Sequence, residues 1–172
     1  MDGTLIIFWA FAGLAVVSAL SCITRRSPVA SALWLVVTLF SLAALFVLLD
    51  AQFIAVLQVL VYAGAIMVLF LFVIMLLNLG RPGPPDLKGP VGLGVGVLLA
   101  GLLLVQLLGL RQAAPPGLAL APGAVARAAA EQGMVPAVAR PRFGAYLVPF
   151  EITSILLLAA IVGAVVLAKR KL

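Results

Sequence analysis

The residues best suited to hydrogen-bond chemistry lie inside the longest uncharged stretch of the sequence, between Asp50 and Arg81. Gln58 and Tyr62 supply an amide and a phenol four residues apart, which places both groups on one side of a helix. An unpaired hydroxyl in hydrocarbon would cost a few kcal/mol, so Tyr62 needs a partner. These two residues are therefore interpreted as a polar stripe within a membrane helix.

The stripe belongs to a longer face with spacings of 4, 3, 4 and 3, formed by Ala51, Ala55, Gln58, Tyr62 and Ala65. Further along, the same face becomes wholly apolar, through Leu69, Phe72 and Leu76. Two interpretations of Tyr62 stay open. It either pairs with Gln58 or a neighbouring helix and only assists packing, or it marks a functional site. Gly64 is equally open, because a small residue serves close contact as readily as a change in helix winding.

Enzymatic chemistry within the chain is not indicated. The sequence has no histidine and a single cysteine, Cys22, which argues against most zinc and haem sites. It also lacks a glycine loop of the phosphate-binding type and a nucleophile beside a base. A transporter working alone would normally carry a charge near the membrane midplane, and the apolar stretches carry none. We therefore expect no catalytic, cofactor-binding or metal-binding residues.

Glu151 is the acid nearest to an apolar stretch near the end of the sequence. Only 17 uncharged residues separate it from Lys169, so it is expected close to one membrane boundary. A negative charge near a helix N-terminus is stabilised by the helix dipole. Glu151 is interpreted as an interfacial acid in preference to a buried proton carrier.

These residues must be positioned by membrane helices, because 66% of the residues are hydrophobic, 9% are charged and the mean hydropathy is +1.34. The predicted fold is an all-α membrane protein, one integral membrane domain over residues 1–172 with a long outer loop at 111–145. Part of that loop, AVARAAAEQ, is expected to be a turn or short helix with extended flanks. Charge-free stretches and Pro or Gly breaks predict five transmembrane helices, at about 3–24, 28–49, 52–79, 90–110 and 146–168.

Charge placement predicts the orientation. The first apolar stretch follows an acid and precedes Arg25 and Arg26, unlike a cleaved signal peptide, so it is expected to remain as a helix. The net charge of +6 arises from short basic clusters near helix ends, which argues against nucleic-acid binding. Under the positive-inside rule the N-terminus lies outside and the C-terminus in the cytoplasm. The basic residues on the predicted cytoplasmic side are Arg25, Arg26, Arg81, Lys88, Lys169, Arg170 and Lys171.

Two stretches carry a family resemblance. VLVYAGAIMVLFLFVIMLLN, residues 59–78, resembles the third membrane helix of the J-type subunit of bacterial respiratory complex I, the proton-pumping NADH:quinone oxidoreductase. GAYLVPFEITSILLLAAIVGAVVLAKR, residues 144–170, is similar to the last helix of that family. The resemblance implies a non-catalytic core subunit of the membrane arm, multi-pass in the bacterial inner membrane. FMN, iron–sulfur clusters, NADH and quinone would belong to other subunits, and the partners would be the K-, H-, A- and antiporter-like membrane subunits and the lipid bilayer.

The resemblance also implies a π-bulge near Tyr62 in the third helix. Carried onto this sequence it should lie within Leu60, Val61, Tyr62, Ala63, Gly64, Ala65 and Ile66. One inserted residue rotates the helix beyond it by about 100°. The hypothesis is that Tyr62 and this bulge gate proton or water continuity, coupling quinone reduction to proton translocation. The alternatives are a subunit of a membrane-bound hydrogenase or of a multisubunit cation/proton antiporter, and an independent small transporter.

Overall fold

The computed structural model describes residues 3–77, 89–112, 127 and 130–169, and the regular elements of these residues are all helical. The chain forms two compact units, Met1–Pro122 and Gly123–Leu172. The described helices are α1 (Gly3–Thr24), α2 (Pro28–Leu48), α3 (Gln52–Leu76), α4 (Gly89–Gln112), α5 (Met134–Phe143) and α6 (Leu147–Ala168).

A hairpin of α1 and α2 opens the first unit. Pro28 occupies the first turn of α2, where its missing N–H costs no helical hydrogen bond. Across the hairpin, Thr38 Oγ1 donates to Ser18 Oγ at 2.9 Å, and the Ser18 hydroxyl donates to the Leu14 carbonyl at 2.7 Å. Ser18 is fully buried. These bonds satisfy polar groups that would otherwise be costly between two apolar helices.

The end of α2 is set by its backbone. Asp50 has a φ of 58°, in the left-handed region that glycine usually occupies at this position. Its N–H donates to the Val47 carbonyl at 3.1 Å, and the Ala51 N–H donates to the Phe46 carbonyl at 2.9 Å. This pair of bonds is a Schellman motif. It reverses the chain within a few residues, so α3 returns antiparallel to α2.

The third helix packs along α2 and contains a π-wound segment, Gln58–Ile66, between two α-wound parts. Ala32 of α2 forms a buried cluster with Met67 and Ile74 of α3. Because α1 and α3 both contact α2, the middle helix supplies most of the packing of this unit. The predicted end of α3, at residue 79, lies outside the described residues, as does the following chain up to residue 88.

Four helices, α1, α2, α3 and α6, are long and apolar enough to cross a membrane. The described apolar part of α4, Gly94–Leu110, is shorter. Five crossings, their orientation and a single membrane domain therefore remain predictions.

The second unit contains α5 and α6, joined by a tight turn in which the Tyr146 N–H donates to the Pro141 carbonyl at 2.9 Å. The rings of Phe143 and Phe150 pack edge to face with centroids 5.1 Å apart. The prediction of an extended flank after AVARAAAEQ was wrong, because Met134–Phe143 is helical. Pro136 lies in the first turn, where its N–H is not needed, whereas Pro141 lies inside the helix and removes one backbone hydrogen bond two residues before its end.

Candidate functional site in the third helix

The winding of Gln58–Ile66 is defined by backbone hydrogen bonds. The Met67 N–H donates to the Tyr62 carbonyl, five residues earlier, which is the π pattern. The lack of a side chain at Gly64 matters for this winding, because a Cβ added there would lie 3.2 Å from the Val59 carbonyl oxygen. Glycine therefore allows the carbonyl five residues earlier to approach closely. Leu60, Val61, Tyr62, Ala63, Gly64, Ala65 and Ile66 all lie within the π segment.

The π segment changes which residues face α2. Ala55 and Ala63 are both buried, although eight residues of α-helix at about 100° each would leave them about 80° apart. The wider π turn places Ala63 on the same side of the helix as Ala55. Packing then continues through Met67 and Ile74. The face predicted with α-helical spacing, through Ala65 and Leu69, therefore does not continue the packed face: both residues are exposed.

Tyr62 lies beside the packed face and points away from it, with 52% of its surface exposed. Its hydroxyl makes no hydrogen bond with any residue in the part of the chain that the structure describes, and neither does the half-buried Gln58 amide. The proposed pairing of Tyr62 with Gln58 is therefore not formed. The phenol is presented at the protein surface, within the π segment.

An apolar groove of about 490 Å³ adjoins the π segment, between the second half of α2 and the start of α3. Three of its lining residues are alanines, and Gln52 is the polar one. The α2 side includes Phe40, Ala43 and Val47, and the α3 side includes Gln52, Ala55 and Val59. Since Val59 belongs to both the groove and the π segment, the winding of α3 shapes this surface.

Glu151 lies in α6, just beyond its first turn, with its side chain exposed. It belongs to the second unit, whereas Gln58 and Tyr62 belong to the first. A role of Glu151 as an interfacial acid stays a prediction.

Sequence reasoning missed the buried hydroxyl groups of α1 and α2. Ser18 and Ser41 are the buried polar residues of the described chain, and Thr38 joins the first of them to α2. Hydroxyl side chains inside two consecutive apolar spans were the available signal. Among the residues whose placement is described, no group of three His, Cys, Asp or Glu side chains could hold a metal ion.

Comparison with known proteins points to a single family. A protein-family model described as NADH-ubiquinone/plastoquinone oxidoreductase chain 6 matches residues 18–167. The NADH-quinone oxidoreductase subunit J of Pseudomonas aeruginosa is 37% identical over 166 residues, covering 95% of each chain. The subunit J of Rhodobacter capsulatus is 37% identical over 169 residues, covering 95% of this chain and 80% of its own. The chloroplastic NAD(P)H-quinone oxidoreductase subunit 6 of Chlorokybus atmophyticus is 36% identical, covering 92% and 80%.

Proposed function

The chain belongs to the family of NADH-ubiquinone/plastoquinone oxidoreductase chain 6, and from this membership we propose that it is the J-type core subunit in the membrane arm of a bacterial complex I. It is a multi-pass membrane protein. With no histidine and one cysteine, the chain lacks the four thiolates that an iron–sulfur cluster requires. Iron–sulfur clusters are accordingly assigned to other subunits, and family membership supports the same assignment for FMN, NADH and quinone and a non-catalytic role for this chain.

The proposed location is the bacterial inner membrane, crossed five times, with the N-terminus outside and the C-terminus in the cytoplasm. The proposed partners are the K-, H-, A- and antiporter-like membrane subunits of the complex. The surface of the chain supports this assembly, because α6 exposes apolar side chains along its whole length. In a membrane such a face is covered by lipid or by the helices of other subunits.

The proposed contribution of this subunit is a gate in α3. The observation that supports it is the exposed Tyr62 hydroxyl on a π-wound segment, with no hydrogen-bond partner among the described residues. A phenol both donates and accepts, so it can end or continue a chain of water molecules beside the helix. Conversion of the segment to α winding would rotate the residues beyond it by about 100° and move Met67 and Ile74 off α2. Leu69 and Phe72 would turn with them, changing the apolar surface beside the water chain.

In this mechanism the gate couples quinone reduction to proton translocation without carrying protons on a charge of its own. The apolar lining interrupts water continuity in one winding and permits it in the other. Charged residues of the neighbouring subunits carry the protons. The Tyr62 hydroxyl hydrogen-bonds to the water chain in one winding state of α3 and not in the other.

The test is Tyr62→Phe in the assembled complex, which removes the hydroxyl and leaves the ring. We expect NADH oxidation coupled to proton pumping to fall severalfold, with assembly unchanged, measured in proteoliposomes with a pH-sensitive dye. Tyr146→Phe is the matched control, because Tyr146 is the other tyrosine of the sequence, is similarly exposed and lies outside α3. It should leave coupled turnover unchanged.

Normal pumping by an assembled Tyr62→Phe complex would remove the hydroxyl from the mechanism. The composition of the purified assembly tests the broader assignment separately. FMN, iron–sulfur clusters and quinone-linked NADH oxidation are expected to purify with this chain, whereas hydrogenase or antiporter subunits in their place would overturn the assignment to complex I.

A further inference from the structure

The turn between α1 and α2 holds an arginine against a tryptophan. The guanidinium carbon of Arg25 lies 5.9 Å from the centroid of the Trp34 ring, within the range of a cation–π interaction. The turn is fixed by local bonds: the Arg25 N–H donates to the Ser21 carbonyl at 3.2 Å, and the Ser31 hydroxyl donates to the Cys22 carbonyl. The backbone position of Arg25 is therefore well defined.

The lengths of the two helices place this turn at a membrane boundary. α1 has 22 residues and α2 has 21, which at 1.5 Å per residue gives about 33 and 31 Å. The hydrocarbon core is about 30 Å thick, so each helix is just long enough to cross it and the ends of both helices lie at its boundaries. Arg25 and Arg26 consequently lie at the level of the lipid phosphates, whichever side of the membrane the turn faces.

The charge of Arg25 is not balanced by an acid in the described chain. Neither Arg25 nor Arg26 forms an ion pair with a described carboxylate, and the contact of the Arg25 guanidinium is with an aromatic face. The contact with the Trp34 ring is not a hydrogen bond, so it uses none of the guanidinium N–H donors. These N–H groups can donate two parallel hydrogen bonds to a phosphate group.

We propose that Arg25, held by Trp34, binds the phosphate of an anionic phospholipid at the α1–α2 turn. The cation–π contact with the ring already restricts the arginine side chain, so less conformational freedom is lost on binding. A net negative headgroup such as phosphatidylglycerol is favoured over phosphatidylcholine, whose ammonium offsets the phosphate charge. Arg26 contributes only general electrostatic attraction, because no described group holds its side chain.

The experiment uses the full-length chain in nonionic detergent with Trp9→Phe, which leaves Trp34 as the single tryptophan. Dihexanoyl phosphatidylglycerol should change Trp34 emission saturably, whereas dihexanoyl phosphatidylcholine should need at least about five times the concentration. Arg25→Gln should weaken the phosphatidylglycerol response about fivefold. The phosphatidylglycerol affinity of Arg25→Lys should lie between those of the unsubstituted chain and Arg25→Gln. Arg26→Gln, which also removes one positive charge, should change this affinity less than twofold. Far-UV circular dichroism checks folding, and Arg25→Lys serves if Arg25→Gln does not fold.

Three results would overturn the proposal. Equal weakening by Arg25→Gln and Arg26→Gln would show diffuse attraction to negative charge. Saturation by inorganic phosphate at the same ionic strength and concentration would show a site for free phosphate. Dissociation of the assembled complex by Arg25→Gln, with phosphatidylglycerol affinity of the chain unchanged, would show that Arg25 pairs with an acid of another subunit.

Discussion

Gly64 is the residue at which the π winding depends most directly on side-chain size. We expect Gly64→Ala to force the Val59 carbonyl, 3.2 Å from the new Cβ, to shift, which makes this variant about 1 kcal/mol less stable than Gly13→Ala. Gly13→Ala is the control, because a Cβ there meets nothing within 4 Å and alanine favours helix. Unfolding in mixed micelles of increasing SDS content, followed by circular dichroism, measures both variants.

Equal stability of the Gly64→Ala and Gly13→Ala variants would show that the close approach to Val59 carries no cost. If instead Gly64→Ala is destabilising and the complex still assembles, its coupled NADH oxidation is expected to fall as well. Reduced stability with full pumping would separate the packing role of Gly64 from the proposed gate.

Asp50 occupies a backbone conformation that glycine adopts more easily. With a φ of 58° in the Schellman motif, Asp50→Gly is expected to raise the free energy of unfolding by up to about 1 kcal/mol. Asp50→Asn is the matched control, since asparagine tolerates the same conformation without the charge. A gain of the same size from both variants would assign the effect to charge rather than to the backbone. The same detergent titration compares them.

At the scale of elements, α1 and α2 are joined by the hydrogen bond between Ser18 and Thr38. A double-mutant cycle with Ser18→Ala and Thr38→Val should give a coupling energy of about 0.6 kcal/mol, typical of hydrogen bonds between membrane helices. Ser41 is the control, because its hydroxyl donates to Val37 of its own helix. The cycle of Ser18→Ala with Ser41→Ala should show no coupling. Coupling of equal size in both cycles would contradict the assignment.

Helix positions could be predicted from the sequence because charges, Pro and Gly interrupt otherwise apolar stretches. The start of α2 follows from Pro28, and the reversal after α2 from Asp50. The helix Met134–Phe143 could not be predicted with the same rules, because two prolines within ten residues usually indicate extended chain. Pro136 is tolerated because it lies in the first turn, and only the observed helix bounds reveal that position.

The candidate site was predictable in location but not in its packing. Tyr62, Gly64 and Gln58 stand out in an apolar helix, and family resemblance supplied the idea of a bulge. A 3.6-residue period predicted one continuous face through Tyr62, Ala65 and Leu69, and this period fails across a segment with five-residue hydrogen bonds. The buried residues of α3 on either side of Tyr62 are instead Ala55, Ala63 and Met67.

At the scale of the whole molecule, the described helices carry many exposed apolar side chains. Every residue of α6 is exposed except Gly163, which is intermediate, and a Cβ at Gly163 would meet nothing within 4 Å. If a helix of a partner subunit packs on this small residue, Gly163→Leu should reduce the yield of assembled complex severalfold on blue native electrophoresis. Leu158→Ala, on the same exposed helix, is the control. Equal assembly of both variants would indicate that lipid covers this face.

The π segment also divides α3 into two α-wound parts, and the second part is rotated about the helix axis relative to where continuous α winding would place it. A substitution within Gln58–Ile66 leaves the number of residues unchanged, so it can alter the energy of the winding without altering the phase. Deletion of one residue there would instead let continuous α winding keep Ala55 and Met67 near their present faces. The π segment thus contains one residue more than continuous α winding would need to keep both packed faces of α3 against α2.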